Sequence, residues 1–239
     1  MNGLEPFALE ELLKIDFHKK QYLKEALTHK SYAAEAELDY DNQRLEFLGD
    51  AVLQIILTRE LFNRYPKLQE GDLTKIRSAM VNQTMLAKCA RTIQLGEHLL
   101  LGKGELEQHG ADRDSTISDA FEALLGALYL DQGEEATERF VCTLFEKVCP
   151  EPAELLDELN PKGALQEYTQ AHFGNKAPTY RVCSVTGPQH EPVYEVEVVM
   201  EGLFRATGKA SNKKSAEQRA ASRALEFLRE QERKEKEKE

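Results

Sequence analysis

The sequence predicts an all-α domain followed by a small α+β domain of order α-β-β-β-α. Three observations carry this expectation. Apolar residues recur at spacings of three and four through residues 1–147, as in LEELLKIDF, LKEALTHKSY and TMLAKCARTIQL. Beyond Pro161 the spacing changes to two in TYRVCSV and VYEVEVVM. Between these regimes lies CPEPAELLDELNPKG, rich in proline and acid, which reads as a linker containing one short helical turn.

The expected division is a helical domain over 1–150, a linker over 151–160, an α-β-β-β-α domain over 161–230 and a charged tail over 231–239. In the third segment, PKGALQEYTQAHF has proline where a helix begins, and Ala164, Leu165 and Tyr168 share one face. TYRVCSV and VYEVEVVM are two strands joined by the turn-rich TGPQHEP, and GLFRATGKA supplies a third. KKSAEQRAASRALEFL closes the domain as a helix with Ala216, Ala220, Ala224 and Leu228 in one row. REQERKEKEKE alternates in charge and reads as a frayed helix end or disordered chain.

The net charge of −11 on 239 residues argues, taken as an average, against a nucleic-acid partner. The charge is unevenly spread. Residues 1–150 carry −9, residues 151–160 carry −4, and residues 161–229 carry +3. The four cysteines form no Cys-x-x-Cys pair and no Cys/His set with zinc spacing. They read as reduced thiols of a cytoplasmic protein. MNGLEPFALEELL lacks the basic and apolar regions of a signal peptide, and no apolar run reaches the length of a membrane span.

One stretch is chemically odd. NQRLEFLGDAVL, residues 42–53, opens a helix that is apolar almost all the way round, yet Glu46 and Asp50 stand four apart on one face. Gln43 and Gln54 extend the same narrow polar stripe. ISDAFEALLGALYL, residues 117–130, repeats the pattern with Asp119 and Glu122 three apart. Two readings are open from the residues alone. The pairs are solvated stripes, or they face each other and four carboxylates meet where water is scarce. In the second case like charges repel, and a divalent cation relieves the conflict. A donor set of oxygen alone points to Mg²⁺ or Mn²⁺. A di-iron carboxylate bundle wants Glu-x-x-His on its helices, and neither helix has it.

NQRLEFLGDAVL closely resembles the signature stretch of ribonuclease III, a double-strand-specific RNA endonuclease. LTHKSY (27–32), EGDLTKIRSAMVN (70–82), LGKGE (101–105) and SDAFEALLGALYLDQG (118–133) continue the resemblance in the family's order, and it covers nearly the whole chain. It implies that Glu46, Asp119 and Glu122 hold the metal and that Asp50 and Glu122 are catalytic. It implies a less direct supporting role for Glu70, and it places Phe47 across a homodimer interface. Cleavage is then metal-dependent hydrolysis leaving 5′-phosphate and 3′-hydroxyl ends. A two-fold dimer supplies one site per strand and short 3′ overhangs. The substrates implied are ribosomal RNA precursors and structured messenger RNAs. The chain departs from the family at Gln43, where many members have Glu. Glutamine is neutral and cannot serve as a charged ligand, though it can still hydrogen-bond a water or an RNA hydroxyl.

Residues 161–230 resemble a double-stranded RNA-binding domain. The resemblance implies that Gln166 and Glu167 meet one minor groove, that His190 meets the next, and that Lys213 and Lys214 meet the phosphates between them. The family's KKxAE core stands here as KKSAE. The positive segment then recruits RNA and the acidic one recruits metal. A non-catalytic double-stranded RNA-binding protein that keeps the helical domain for dimerisation is the alternative. It has no need of Glu46, Asp50, Asp119 and Glu122 together, and Gln43 is the one feature in its favour.

Overall fold

The computed structural model describes residues 6–174, 177–188, 190–200 and 202–236. The chain divides into two compact units, Met1–Pro152 and Ala153–Glu239.

The first unit is helical: α1 (Pro6–Leu13), α2 (Lys20–Ala26), α3 (Lys30–Glu35), α4 (Gln43–Arg64), α5 (Glu70–Met80), α6 (Gln83–Thr92), α7 (Lys103–Glu107) and α8 (Asp114–Val148). Local chemistry sets several of their ends. Asn82 caps α6 by accepting from the Met85 amide at 2.8 Å, and His29 caps α3 by accepting from the Ser31 amide. Glu70 and Asp72 stand in the first turn of α5, where the helix dipole favours acids. Gly133 interrupts α8 with φ 81° and ψ −176°, a conformation that glycine reaches most easily.

The core sits between α4 and α8. Leu53, Ile56, Leu57 and Leu61 of α4 and Phe121, Leu124, Leu125 and Leu128 of α8 are all but inaccessible. Burying each such side chain contributes about 2 kcal/mol. α4 is apolar almost all the way round in sequence, but it is not buried all round. Its second apolar flank, with Phe47 at 83%, Ile55 at 58% and Phe62 at 70% exposure, lies open on the single chain. A short parallel bridge pairs Thr28 with Leu100. The Leu100 amide donates to the Leu27 carbonyl at 2.8 Å, and the His29 amide donates to the Leu100 carbonyl at 3.0 Å. This seam ties the segment before α7 to the turn between α2 and α3.

The second unit contains α9 (Glu154–Leu159), α10 (Pro161–Phe173), β1 (Thr179–Thr186), β2 (Val193–Met200), β3 (Phe204–Ala210) and α11 (Lys213–Lys236). The sheet order is β1-β2-β3, antiparallel throughout, with an irregularity in β1 between Val182 and Ser184. Alternation along β2 sends Val196, Val198 and Met200 into the core beside Leu165 of α10 and Ala216, Ala220, Ala224 and Leu228 of α11. The small alanines let α11 lie close on the sheet. A Cβ at Gly208 of β3 would stand 2.3 Å from the Ala216 carbonyl oxygen, so only glycine fits that crossing. On the opposite face of β2, Glu197 is buried between Arg181 and Arg205, at 2.5 and 3.2 Å. The alternating-charge segment is helical as far as Lys236, with a Glu230–Lys234 pair four residues apart supporting it.

Candidate active site

The two odd helices do face each other, and glycine brings them together. A Cβ placed on Gly49 of α4 would lie 1.7 Å from the carbonyl oxygen of Glu122 on α8. One placed on Gly126 would lie 2.2 Å from the carbonyl oxygen of Leu45. The backbones therefore touch at a reciprocal pair of glycines, about one helical turn from Glu46 on α4 and from Glu122 on α8. No residue with a side chain allows this approach.

The result is a cluster. Carboxylate oxygens of Glu46, Asp119 and Glu122 lie within 4.8 Å of one another, and each residue is partly buried. Asp50, one turn along α4 from Glu46, accepts a hydrogen bond from Gln54 Nε2 at 3.3 Å and adds its charge to the same place. Burial pushes the Glu122 carboxyl up to about 8, and the charges of Asp50, Glu46 and Asp119 push in the same direction. Glu46 is raised by burial and then by Asp119, with Lys30 opposing. Asp119 is raised by burial, against a hydrogen bond from Ser118 Oγ at 3.3 Å and the influence of His29 and Lys30. Three neighbouring carboxyls are thus all held towards their neutral forms, a state that a bound cation reverses.

The donors fit a hard divalent ion. All are carboxylate oxygens. Bonds of about 2.1 Å to a common Mg²⁺ allow oxygens up to roughly 4.2 Å apart, so small side-chain rotations suffice. Glu46, Asp119 and Glu122 would hold the ion, with Asp50 beside them.

Other expected residues stand elsewhere. Gln43 is exposed in the first turn of α4, its backbone N–H donating to Asp41 Oδ1 at 3.0 Å. Glu70 is exposed at the start of α5 and accepts from Thr74 Oγ1 at 3.1 Å. Among the described residues Glu70 is not brought into the cluster. Phe47, on the exposed flank of α4, does not enter the cluster. In the second unit Gln166 and Glu167 are exposed on α10, His190 is exposed in the β1–β2 loop, and Lys213 and Lys214 are exposed at the start of α11. Asn212 caps that helix by accepting from the Ser215 amide at 2.8 Å. A cavity of about 660 Å³ opens elsewhere in the first unit, beside Leu13, Ile93 and Phe140, and none of the four carboxylates lines it.

Two features escape the reading of carboxylate spacing. One is the Gly49–Gly126 contact, signalled only by glycines in the middle of apolar helices. The other is the pair His29 and Lys30, which act electrostatically on Asp119 from the start of α3. Their signal is LTHKSY, a stretch that the family resemblance picks out and carboxylate spacing does not.

Residues 19–148 match the model of the ribonuclease-III-like family, and residues 161–228 match the double-stranded RNA binding motif. A protein called Ribonuclease 3 from Symbiobacterium thermophilum is 46% identical over 215 residues, covering 90% of this chain and 91% of that protein. Another Ribonuclease 3, from Nitratiruptor, is 41% identical over 95% of this chain and 98% of its own length. Among solved structures, the nuclease domain of ribonuclease III from Campylobacter jejuni superposes with a TM-score of 0.57 at 41% identity. It covers 60% of this chain and 97% of that domain. With a helical unit built around a carboxylate cluster, an α-β-β-β-α unit following it in sequence and relatives of this identity along nearly its whole length, the chain belongs to the ribonuclease III family of double-stranded RNA endonucleases.

Proposed function

We propose that the chain hydrolyses phosphodiester bonds of double-stranded RNA with a divalent cation, Mg²⁺ or in its place Mn²⁺, held by Glu46, Asp119 and Glu122. The observation that carries this reading is the cluster itself, three carboxyls within 4.8 Å with Glu122 pushed up to about 8. Groups so perturbed are costly to keep unless they have a task. When bound, the ion supplies charge to offset the carboxylates and activates water near neutral pH.

The protein's own residues then have distinct work. Glu122 and Asp50 orient the attacking water and accept its proton, and Glu46 and Asp119 fix the geometry from opposite helices. The water oxygen bonds to phosphorus as the bond to the 3′ oxygen breaks. The 3′ oxygen takes a proton, and the ends left are 5′-phosphate and 3′-hydroxyl. Gln43 keeps a neutral hydrogen-bonding group at the rim and brings no charge to the ion. Glu70 supports the site from α5.

A homodimer follows from the one-site-per-chain arithmetic. Phe47, Ile55 and Phe62 form an exposed apolar stripe on α4, the kind of surface that a partner covers. The work on the Campylobacter domain concerns a region involved in dimer formation, which supports the same reading here. Two sites related by two-fold symmetry cut both strands and leave short 3′ overhangs.

The α-β-β-β-α unit brings the duplex. Gln166 and Glu167 meet one minor groove, His190 the next, and Lys213 and Lys214 the phosphates between, so that A-form shape is read more than sequence. The cellular substrates are ribosomal RNA precursors and structured messenger RNAs in the cytoplasm. The test is to incubate the full chain with a perfect RNA duplex, with Mg²⁺ and with a chelator in its place, and to analyse the product ends. Cleavage only with the ion, leaving 5′-phosphates and short 3′ overhangs, is expected. Binding of the duplex without cleavage at any divalent-ion concentration would refute the reading.

A further inference from the structure

The narrow polar stripe of α4 runs Gln43, Glu46, Asp50, Gln54. Its last member touches a residue of the site. Gln54 Nε2 donates to Asp50 Oδ1 at 3.3 Å. Because the acceptor is a carboxylate, the amide nitrogen of Gln54 and not its oxygen faces Asp50. Glu46, Asp50 and Gln54 follow one another at intervals of about one turn, so Gln54 holds Asp50 from the side away from Glu46. The turn that carries Gln54 is itself tied down. Its carbonyl accepts from Thr58 Oγ1 at 2.6 Å, and Thr58 Oγ1 accepts from Arg77 Nη1 of α5 at 2.9 Å.

The Asp50 carboxylate stands apart from the ligand set. Oxygens of Glu46, Asp119 and Glu122 come within 4.8 Å of one another, and Asp50 is not part of that group. It nevertheless borders the group, because its neighbour Gly49 rests on the backbone of Glu122. Among the described residues no donor other than Gln54 holds the Asp50 side chain. Where Asp50 stands matters chemically. Mg²⁺ takes an octahedral shell of oxygens and usually keeps several waters in it. A fourth carboxylate would occupy a place that a water or a phosphate oxygen needs. A carboxylate bound to the ion is also a poor proton acceptor, since the adjacent positive charge favours its ionised form.

We propose that Gln54 is a positioning residue that keeps Asp50 out of the metal's ligand set, so that the Asp50 carboxylate stays available to the attacking water. The proposal rests on the nuclease reading above and deepens it. Gln54 touches neither ion nor substrate and acts through Asp50 alone. Without its amide, Asp50 is released to join Glu46, Asp119 and Glu122. More carboxylate oxygens then hold the ion, and its affinity rises with the ligand charge. The reaction loses a positioned base, so kcat falls. Duplex binding does not depend on Gln54, so KM for RNA stays near native.

The experiment compares the full native chain with Gln54→Met, which has the length and helix propensity of glutamine but no donor, and with Gln54→His, which keeps an N–H donor at about the same reach. Two quantities are read: kcat on a perfect RNA duplex, and the Mg²⁺ concentration at which Tm, without RNA, has risen by half its full amount. For Gln54→Met the expected results are kcat lower by roughly 10-fold or more and a Mg²⁺ midpoint lower by about threefold or more. Gln54→His should stay near native in both. In an Asp50→Ala background, Gln54→Met should leave the midpoint where Asp50→Ala alone puts it, because the effect runs through Asp50. The proposal is overturned if Gln54→Met changes neither quantity or only one, if Gln54→His behaves like Gln54→Met, or if the shift survives without Asp50. A native chain that Mg²⁺ stabilises but that does not cut overturns the nuclease reading, and the midpoints still decide whether Gln54 keeps Asp50 off the ion. A native chain that Mg²⁺ does not stabilise overturns both.

Discussion

Gly49 of α4 rests directly on the backbone of Glu122 in α8, so closely that a Cβ at position 49 would stand 1.7 Å from the Glu122 carbonyl oxygen. The residue whose carboxyl is most perturbed is thus also the contact point of the two central helices. Gly49→Ala forces them apart, and the core has no slack to absorb the shift. The expected cost is about 3 kcal/mol or more, with loss of the carboxylate cluster. Gly71, early in α5, has nothing within 4 Å of its would-be Cβ, so Gly71→Ala is expected to be neutral or to stabilise by about 0.5–1 kcal/mol. Thermal unfolding of the two variants side by side checks both, and equal Tm values would contradict the account.

Stability without metal should fall as pH rises. The Glu122 carboxyl titrates near 8 in the fold, against an ordinary value of 4.5. Between those values the native state holds a proton that the unfolded chain has released, so deprotonation favours unfolding. Below about 4.5 both states are protonated and the penalty is absent. With allowance for solvent screening the effect is on the order of 2 kcal/mol across that window. Urea unfolding in a chelator at pH 5 and pH 8 checks it. Glu122→Gln should flatten the trend, and Mg²⁺ should oppose it in the native chain. A Glu122→Gln variant with the native slope would show that another group is responsible.

In the proposed homodimer the exposed flank of α4 is the surface that the partner covers. Phe47→Ala removes the most exposed aromatic of a stripe that continues through Ile55 and Phe62. Sedimentation should show a dimer for the native chain and an association at least about tenfold weaker for the variant. The side chain makes little contact within its own chain, so Tm at high protein concentration should change little. A native chain that sediments as a monomer at micromolar concentration would contradict the dimer.

Lys213 and Lys214 are exposed, and their replacement leaves the core of the α-β-β-β-α unit untouched. Changing both to Ala should weaken duplex binding and lower the salt dependence of the affinity by about two in the log–log slope. Cleavage at saturating RNA should be unchanged. Binding titrations from low to moderate salt measure this, and an unchanged slope would remove both lysines from the phosphate contacts.

Much of this was legible in the sequence. The period of the apolar residues placed α10 at 161–173 and β2 at 193–200 with the bounds observed. The spacing of Glu46, Asp50, Asp119 and Glu122 identified two like-charged faces that had a reason to meet. What stayed hidden depends on tertiary packing. An apolar residue that faces a core and one left open look alike in a periodic pattern, so the pattern alone did not separate the open flank of α4 from its buried one. A glycine inside a helix signals close approach without naming its counterpart, so Gly49 and Gly126 did not announce each other. The hydrogen bond from the Gly102 amide to Ser31 Oγ joins positions more than seventy residues apart, which no local pattern announces. Alternating charge reads equally as disorder and as a solvated helix, and the structure carries α11 through it to Lys236.

The most direct test of the central claim is cleavage of a perfect RNA duplex with Mg²⁺ by the native chain, Glu122→Ala and Gln43→Glu. The account expects the native chain to cut, Glu122→Ala to bind the duplex with kcat lower by about 10³-fold or more, and Gln43→Glu to change only the rate. A native chain that binds duplex without cutting, and regains cleavage on Gln43→Glu, would contradict it, for the four inner carboxylates would then not suffice.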